Sequence, residues 1–589
     1  MCLNCPVSDQ DEDETALHHS FNIQHLTFDI QHSTTVTPRG RLHLASQVAF
    51  HRTPRHLCYP RTRTVIRLLP LSLALVVVTA LGAQTEQPLR IGTITVRPLD
   101  VYSDAEAGHG RLYRLADRLH IETRKSVIEK FLLFREGDVY SPERLAETER
   151  NLRALQFLKS ASVEASPPHD GLVDVVVTTQ DSWSIAPETQ AGSKGGKSTV
   201  GATLSETNLL GLGKDLEVGW SRGVDRTRVG VTYNDPAFFA PYWKGAFGYA
   251  MNSDGYDHHL AIVRPFYSFA TPWATEMSFA GFRQFDHLYR DGREVELFQQ
   301  KHREIVASFG VALNPNDSQA HRIIAGLRAV DDSFSVMKRS VTPMLPSSRE
   351  FRYVFVRYES TANDFVKLNF VNKDIRFEDF NLGRQLSVEG AISPRTLGTD
   401  RTTSFARVAA ADGKWLGNGF VLPAVSLSSR FDGGVQNGVV GSTLLFVRRG
   451  GRESYPTTFL SRIAVNSGWR MDAEDQFFAD GLTGLRGYRA HAFAGTRSLV
   501  INVEERLYLG REILQLASPG IVAFVDAGNA TSGGFTNLMH LKSDIGIGLR
   551  VGLPRTPKNL LRVDLAYALN RDPLGRKGWL IAFSSGQAF

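Results

Sequence analysis

The chain has 589 residues, enough for two or three ordinary domains or for one large barrel beside a smaller domain. A hydrophobic content of 42% with a mean hydropathy of -0.18 excludes a helical membrane protein with many spans. The same figures suit a transmembrane β-barrel, in which only alternate residues face lipid. The net charge of +6 is not gathered into a Lys/Arg block on any helix, so a solvated surface or polar lumen is expected and no nucleic-acid partner.

Cys2, Cys5 and Cys58 are the only cysteines. Cys2-x-x-Cys5 lacks a second pair, so neither a metal nor a cofactor is expected. A thiol-free chain after residue 58 fits an oxidising compartment. Residues 1–60 are polar and without sustained periodicity, and read as a disordered or non-native extension upstream of the true start. Arg61, Arg63 and Arg67 precede the apolar run Leu68–Ala83, which ends in small residues. This is the pattern of a signal peptide over 61–83, and the run is shorter than the ~20 residues of a membrane span.

Residues 88–184 read as a small α+β domain. Leu89–Arg97 alternates as a strand, and Val127, Ile128, Phe131 and Leu132 share one helix face. Ser141-Pro142 starts a second helix, because Ser caps a free N–H and Pro fits the first turn. Leu145, Thr148, Leu152 and Leu155 then form its stripe. A strand through Val163 and Ala165 turns at Asp170-Gly171 into Leu172–Thr179, giving the order β-α-α-β-β.

From 185 to 589 short alternating segments recur, about sixteen in number. They are punctuated by Asp254-Gly255, Asp291-Gly292, Asp412-Gly413, Asn418-Gly419, Asp432-Gly433 and Asn437-Gly438. In Ser543–Leu553, Ile545, Ile547, Leu549, Val551 and Leu553 share one face, and Asp544, Arg550 and glycines the other. Leu561, Val563, Leu565 and Tyr567 repeat the pattern against Arg562 and Asp564. Arginine facing lipid at mid-bilayer costs ~2–4 kcal/mol, so the apolar face is the outer one. The expected fold is mainly β: an antiparallel transmembrane barrel of about sixteen strands behind a small α+β domain.

The domain's order, with Leu132-Leu133-Phe134-Arg135-Glu136-Gly137-Asp138, Arg150-Asn151-Leu152-Arg153 and Gln180-Asp181-Ser182-Trp183-Ser184, resembles a POTRA module. In the barrel, four segments together resemble the BamA/TamA superfamily of bacterial outer-membrane proteins. They are Asn208-Leu209-Leu210-Gly211, Glu378-Asp379-Phe380-Asn381-Leu382-Gly383, Leu485-Arg486-Gly487-Tyr488 and Phe524-Val525-Asp526-Ala527-Gly528. The resemblance covers roughly 88–589. It implies a POTRA module in the periplasm that takes unfolded client polypeptides, often by strand addition, and a barrel in outer-membrane lipid that inserts or translocates them. Accessory periplasmic proteins are further expected partners. It also implies that Arg486 enters the lumen and meets Asp526 beside Phe524, with Gly528 in the same motif. Glu504 and Arg506, two apart and so on one face of the strand Leu499–Tyr508, extend that network, and Glu505 then points outward, a departure from the family's pattern. The terminal Phe589 resembles the strand signal read by barrel-insertion machinery, although Ser585 and Gln587 stand where apolar residues are usual.

No Gly-x-Ser-x-Gly elbow or His-Glu-x-x-His motif is present, and no enzymatic activity is expected. Two other readings stay open. One is a secretion pore for a soluble partner. The other is a surface antigen binding through segments such as Arg339–Glu350 and Asn363–Lys373.

Overall fold

The computed structural model describes residues 88–102, 120–336, 345–556 and 560–588. The extension, the signal-peptide segment and Phe589 lie outside the described residues.

The N-terminal module runs strand Arg90–Leu99, helix Lys125–Glu129, helix Pro142–Arg153, strand Leu158–Ala165 and strand Leu172–Asp181. The last of these is the centre of its sheet, parallel to the first and antiparallel to 158–165. The apolar stripe predicted for the second helix is buried: Leu145, Thr148, Leu152 and Leu155 are all at most 7% exposed. With Val127, Ile128, Val175 and Val177, its leucines form the module's core. Ser141 caps the helix by accepting from the Arg144 N–H at 3.2 Å.

Only Ser182, Trp183 and Ser184 join the module to the first barrel strand, Ile185–Lys194. Asn208 reinforces this joint. Its Nδ2 donates to Thr123 Oγ1 at 2.8 Å and its Oδ1 accepts from the Gly213 N–H at 2.8 Å. Gly211 must be glycine here: φ is +70° and a Cβ would sit 2.6 Å from the Glu122 carbonyl.

The remaining chain forms one antiparallel sheet that returns on itself. Its ring is built from 21 strand segments. Two of them, Thr403–Ala411 and Lys414–Leu416, are collinear pieces paired to the same neighbour, Gly419–Phe431, so the wall has 20 strands. This exceeds the expected sixteen. Strands such as Asp215–Arg222 and Thr227–Asp235 alternate clearly, with Leu216, Val218 and Trp220 and then Val229, Val231 and Tyr233 on one face, so alternation locates strands without fixing how many join the wall. Asp412-Gly413 is therefore a break within a wall strand rather than a hairpin turn. Asn437-Gly438 is a bulge inside Val435–Arg452, pinned by the Asn437 N–H to the Arg470 carbonyl at 2.7 Å.

The direction of the wall follows the chemistry. Ile545, Ile547, Leu549, Leu561 and Val563 are 44–63% exposed, while Asp544, Arg550, Arg562 and Asp564 are buried inside. Among the described residues no helix is long and apolar enough to cross a membrane; strands do the crossing. The even strand number brings the chain end back to the end of the barrel that carries the module.

The ladder is uneven. The first hairpin, Ile185–Lys194 with Lys197–Glu206, is paired at ten positions, and the strands Leu560–Ala568 and Trp579–Ser585 at seven. The last and first strands meet through one pair, Phe583 and Ser193. That register sets most of Ile185–Lys194 beyond the end of the last strand, so much of each edge lacks a ladder partner.

Candidate functional site: the lumen arginine network

The segment between the strands Tyr455–Trp469 and Arg497–Tyr508 folds back into the barrel instead of standing over it. Asp480 shapes its entry. Its Oδ1 accepts from the N–H groups of Leu482 at 2.9 Å and Thr483 at 3.0 Å, its Oδ2 accepts from the His491 N–H, and its carbonyl accepts from Gly484 and Leu485. Asp480 thereby closes a compact loop that presents Arg486. Sequence reading passed over it, although Asp480-Gly481 followed by Thr483 is a recognisable Asx-turn signal.

Arg486 is 3% exposed. Its Nε and Nη2 donate to the two carboxylate oxygens of Asp526 at 2.8 Å each, a bidentate geometry. Nη1 donates to Glu504, and the guanidinium lies 3.4 Å from the centroid of the Phe524 ring. Asn502 steadies Asp526 from the side, its Nδ2 donating to Oδ1 at 2.7 Å and to the Gly484 carbonyl at 2.7 Å. Glu504 passes the contact to Arg506 at 2.6 Å, and Arg506 donates onward to the Val371 carbonyl. Arg550 pairs with Asp564 at 2.6 Å. Arg562 also lies 3.5 Å from Asp564, so Arg486, Arg506, Arg550 and Arg562 share Asp526, Glu504 and Asp564, and this mutual pairing is how the charges are tolerated away from bulk water.

The other motif residues fit around this pairing. Leu485 is fully buried with Tyr488, Phe493 and Val500. Gly487 packs where a Cβ would lie 2.5 Å from Asp544 Cβ and 3.0 Å from the Ala568 nitrogen. The Tyr488 hydroxyl donates to the Ser543 carbonyl at 2.9 Å. Gly528 leaves room for the Leu499 carbonyl and for Leu485. Glu505 is exposed on the outer face opposite Phe459. Gln587, out of place for an apolar terminal strand, donates to the Tyr508 hydroxyl and accepts from Arg550 Nε, both at 3.1 Å. Its polarity ties the chain end to the lumen.

Asp472, Glu474 and Asp475 bring carboxylates within 4.8 Å of one another. Arg430 is bidentate to Asp472 at 2.7 and 2.9 Å and Arg349 pairs with Glu474, so this is an ion-pair cluster. What the arrangement can do chemically is hold a loop inside the lumen.

Residues 208–589 match the model of the Omp85 superfamily domain, and residues 120–180 that of the POTRA family, described as a surface antigen variable number repeat. None of the curated proteins is similar to the chain in sequence. Solved structures similar to it include CdiB from Acinetobacter baumannii, with 13% identity, a TM-score of 0.44, and 85% of this chain and 74% of that chain covered. BamA from Haemophilus ducreyi lacking POTRA domains 1-3 has 13% identity and a TM-score of 0.35, with 84% of both chains covered. CdiB from Escherichia coli has 12% identity and a TM-score of 0.43, covering 87% of this chain and 93% of that chain. The superfamily match spans well over half of the residues, on a barrel that carries a module of POTRA topology. The chain belongs to the Omp85 superfamily of outer-membrane proteins.

Proposed function

We propose that the chain is a non-enzymatic assembly or translocation factor of the bacterial outer membrane, with its POTRA module in the periplasm. The module takes unfolded client polypeptides, and the barrel inserts or translocates them. The observation that carries this reading is the seam, a single residue pair between the first and last strands of an otherwise continuous wall. An unpaired backbone edge in lipid costs several kcal/mol per group, so such a seam is a template on which a client strand pairs at a gain. The Arg486 network supports the reading by fixing the lumen loop beside the seam. The Ala490 N–H donates to the carbonyl of Gly195, in the turn of the first hairpin, at 2.9 Å. Outer-membrane lipid, client chains and accessory periplasmic proteins are the partners this function requires.

A second reading, a secretion pore for a soluble partner, is favoured by a different observation. The lumen holds chain elements entering from both ends, the arrangement of a channel kept shut until a client arrives. The antigen reading loses one of its two segments, because residues 363–373 fold toward the lumen from the module's end instead of forming an outer loop. Part of the other, 339–344, lies outside the described residues.

The test is to reconstitute the protein in liposomes and follow how fast an unfolded outer-membrane barrel folds into them. Acceleration that disappears with Arg486→Ala supports the insertase. No acceleration, with steady conductance or release of a soluble client, supports the pore.

A further inference from the structure

A second element enters the barrel, from the module's end. Between the wall strands Arg349–Ala362 and Gln385–Ser393 the chain makes a hairpin whose arms, Phe365–Leu368 and Glu378–Asn381, pair with each other and not with the wall. Its tip reaches strands several places round the ring. Phe370 and Val371 are buried. The Phe370 carbonyl accepts from Thr458 Oγ1 at 2.9 Å, the Val371 carbonyl from Arg506, and Asn369 Oδ1 from Arg449 at 3.0 Å. Arg376 donates to the Thr556 carbonyl at 3.1 Å, and Asp374 occupies the space beside Gly552 that a side chain there would need. The tip therefore lies across the lumen against the inward face of the opposite wall.

The root of the hairpin is held by the module. Arg153 is bidentate to Asp379 at 2.7 and 3.0 Å. Arg150 donates to Asn363 at 3.3 Å and lies over the Phe365 ring. Lys367 pairs with Glu149 Oε1 at 3.0 Å. Glu149 has a second task. Its Oε2 accepts at 3.1 Å from the N–H of Val163, in the strand 158–165 at the edge of the module's sheet. One carboxylate thus covers a backbone donor that an added strand would use and also holds the hairpin's lysine.

We propose that the hairpin 363–381 is a plug for the module's end of the lumen, released when an extended client occupies the edge strand 158–165. A client carbonyl taking the Val163 N–H displaces Glu149, which loosens Lys367 and then the hairpin's root. The coupling rests on the reading of the module as a client receiver; the plug itself does not.

The full-length protein in planar bilayers tests both parts, with heat-modifiable migration on gels showing that each variant is a folded barrel. Replacing residues 369–377 by a Gly/Ser linker of equal length raises open-channel conductance several-fold; conductance like the wild type overturns the plug. Lys367→Glu raises the open probability, and the exchange Glu149→Lys with Lys367→Glu lowers it again; an unchanged open probability in the single variant overturns the latch. A synthetic extended peptide of alternating valine and threonine, added on the module's side, opens the wild type and leaves Glu149→Gln, already open, unaffected. No response in the wild type overturns the coupling. These readouts need no client insertion. Lost insertion activity with the plug behaving as described overturns the function proposed above, and the reverse result overturns the plug alone.

Discussion

Two chain segments enter the barrel, one from each end, and they are held in opposite ways. The loop 470–496 is anchored by Arg486, whose side chain is 2% exposed against carboxylates at 0%. The hairpin 363–381 is anchored at its root by Glu149, Lys367 and Arg153, with side chains 20%, 43% and 9% exposed. Removing one partner of a buried, hydrogen-bonded ion pair costs about 3–5 kcal/mol, less in a watery lumen, whereas pairs near solvent contribute about 0.2–1 kcal/mol each. The same ion-pair chemistry makes the loop a fixture and leaves the root of the hairpin, unlike its buried tip, releasable. What separates them is access to water.

The largest effect is expected where burial is complete. Arg486→Ala leaves Asp526 without its cation and Glu504 with Arg506 as its close partner. Melting of the heat-modifiable barrel band should fall by several degrees while the band itself persists, and client handling should fail. A stability equal to wild type would mean that the loop is held no more firmly than the hairpin. Gly487→Ala comes next. Its new methyl meets Asp544 and the Ala568 backbone with no room to yield, so the loop must shift; protease access to residues 480–491 should increase. Tyr488→Phe removes only the hydroxyl donation to Ser543, a loss of about 1 kcal/mol in chemical denaturation.

At the root of the hairpin the effects are smaller. Arg153→Ala should change barrel stability by no more than about 1 kcal/mol while raising hydrogen exchange in 363–381. A large stability loss would mean that the root is as fixed as the loop. The mildest effect is that of pH on module docking. The Phe269 N–H donates to Glu147 at 2.9 Å, and burial pushes the Glu147 carboxyl from its ordinary 4.5 up to about 7. A group whose folded value is raised stabilises fully below its unfolded value, and that contribution is lost as pH rises through the folded one. Docking of the helix 142–153 on residues 265–272 should therefore be tighter at pH 5 than at pH 8 by hydrogen exchange, and Glu147→Gln should flatten the difference.

Much of this was written in the chain. Period-two alternation in residues 543–553 fixes which face meets lipid, because a buried Arg550 on the outside is too costly and Ile547 on the inside has nothing to pack on. The 3.6-residue stripe of Leu145, Leu152 and Leu155 does the same for the module, since a helix has one face to bury. The pairing of Arg486 with Asp526 came from resemblance to a motif, not from periodicity: forty residues separate them, and no local rule brings a loop arginine to a later strand. Only the tertiary structure decided the number of strands, the one-pair seam, and the entry of residues 363–381 into the lumen. Each depends on how a closed wall aligns its two ends and what fills the space inside, and that is set by register summed around the whole ring. Local sequence reports a strand's two faces; it does not report which distant strand lies across the lumen.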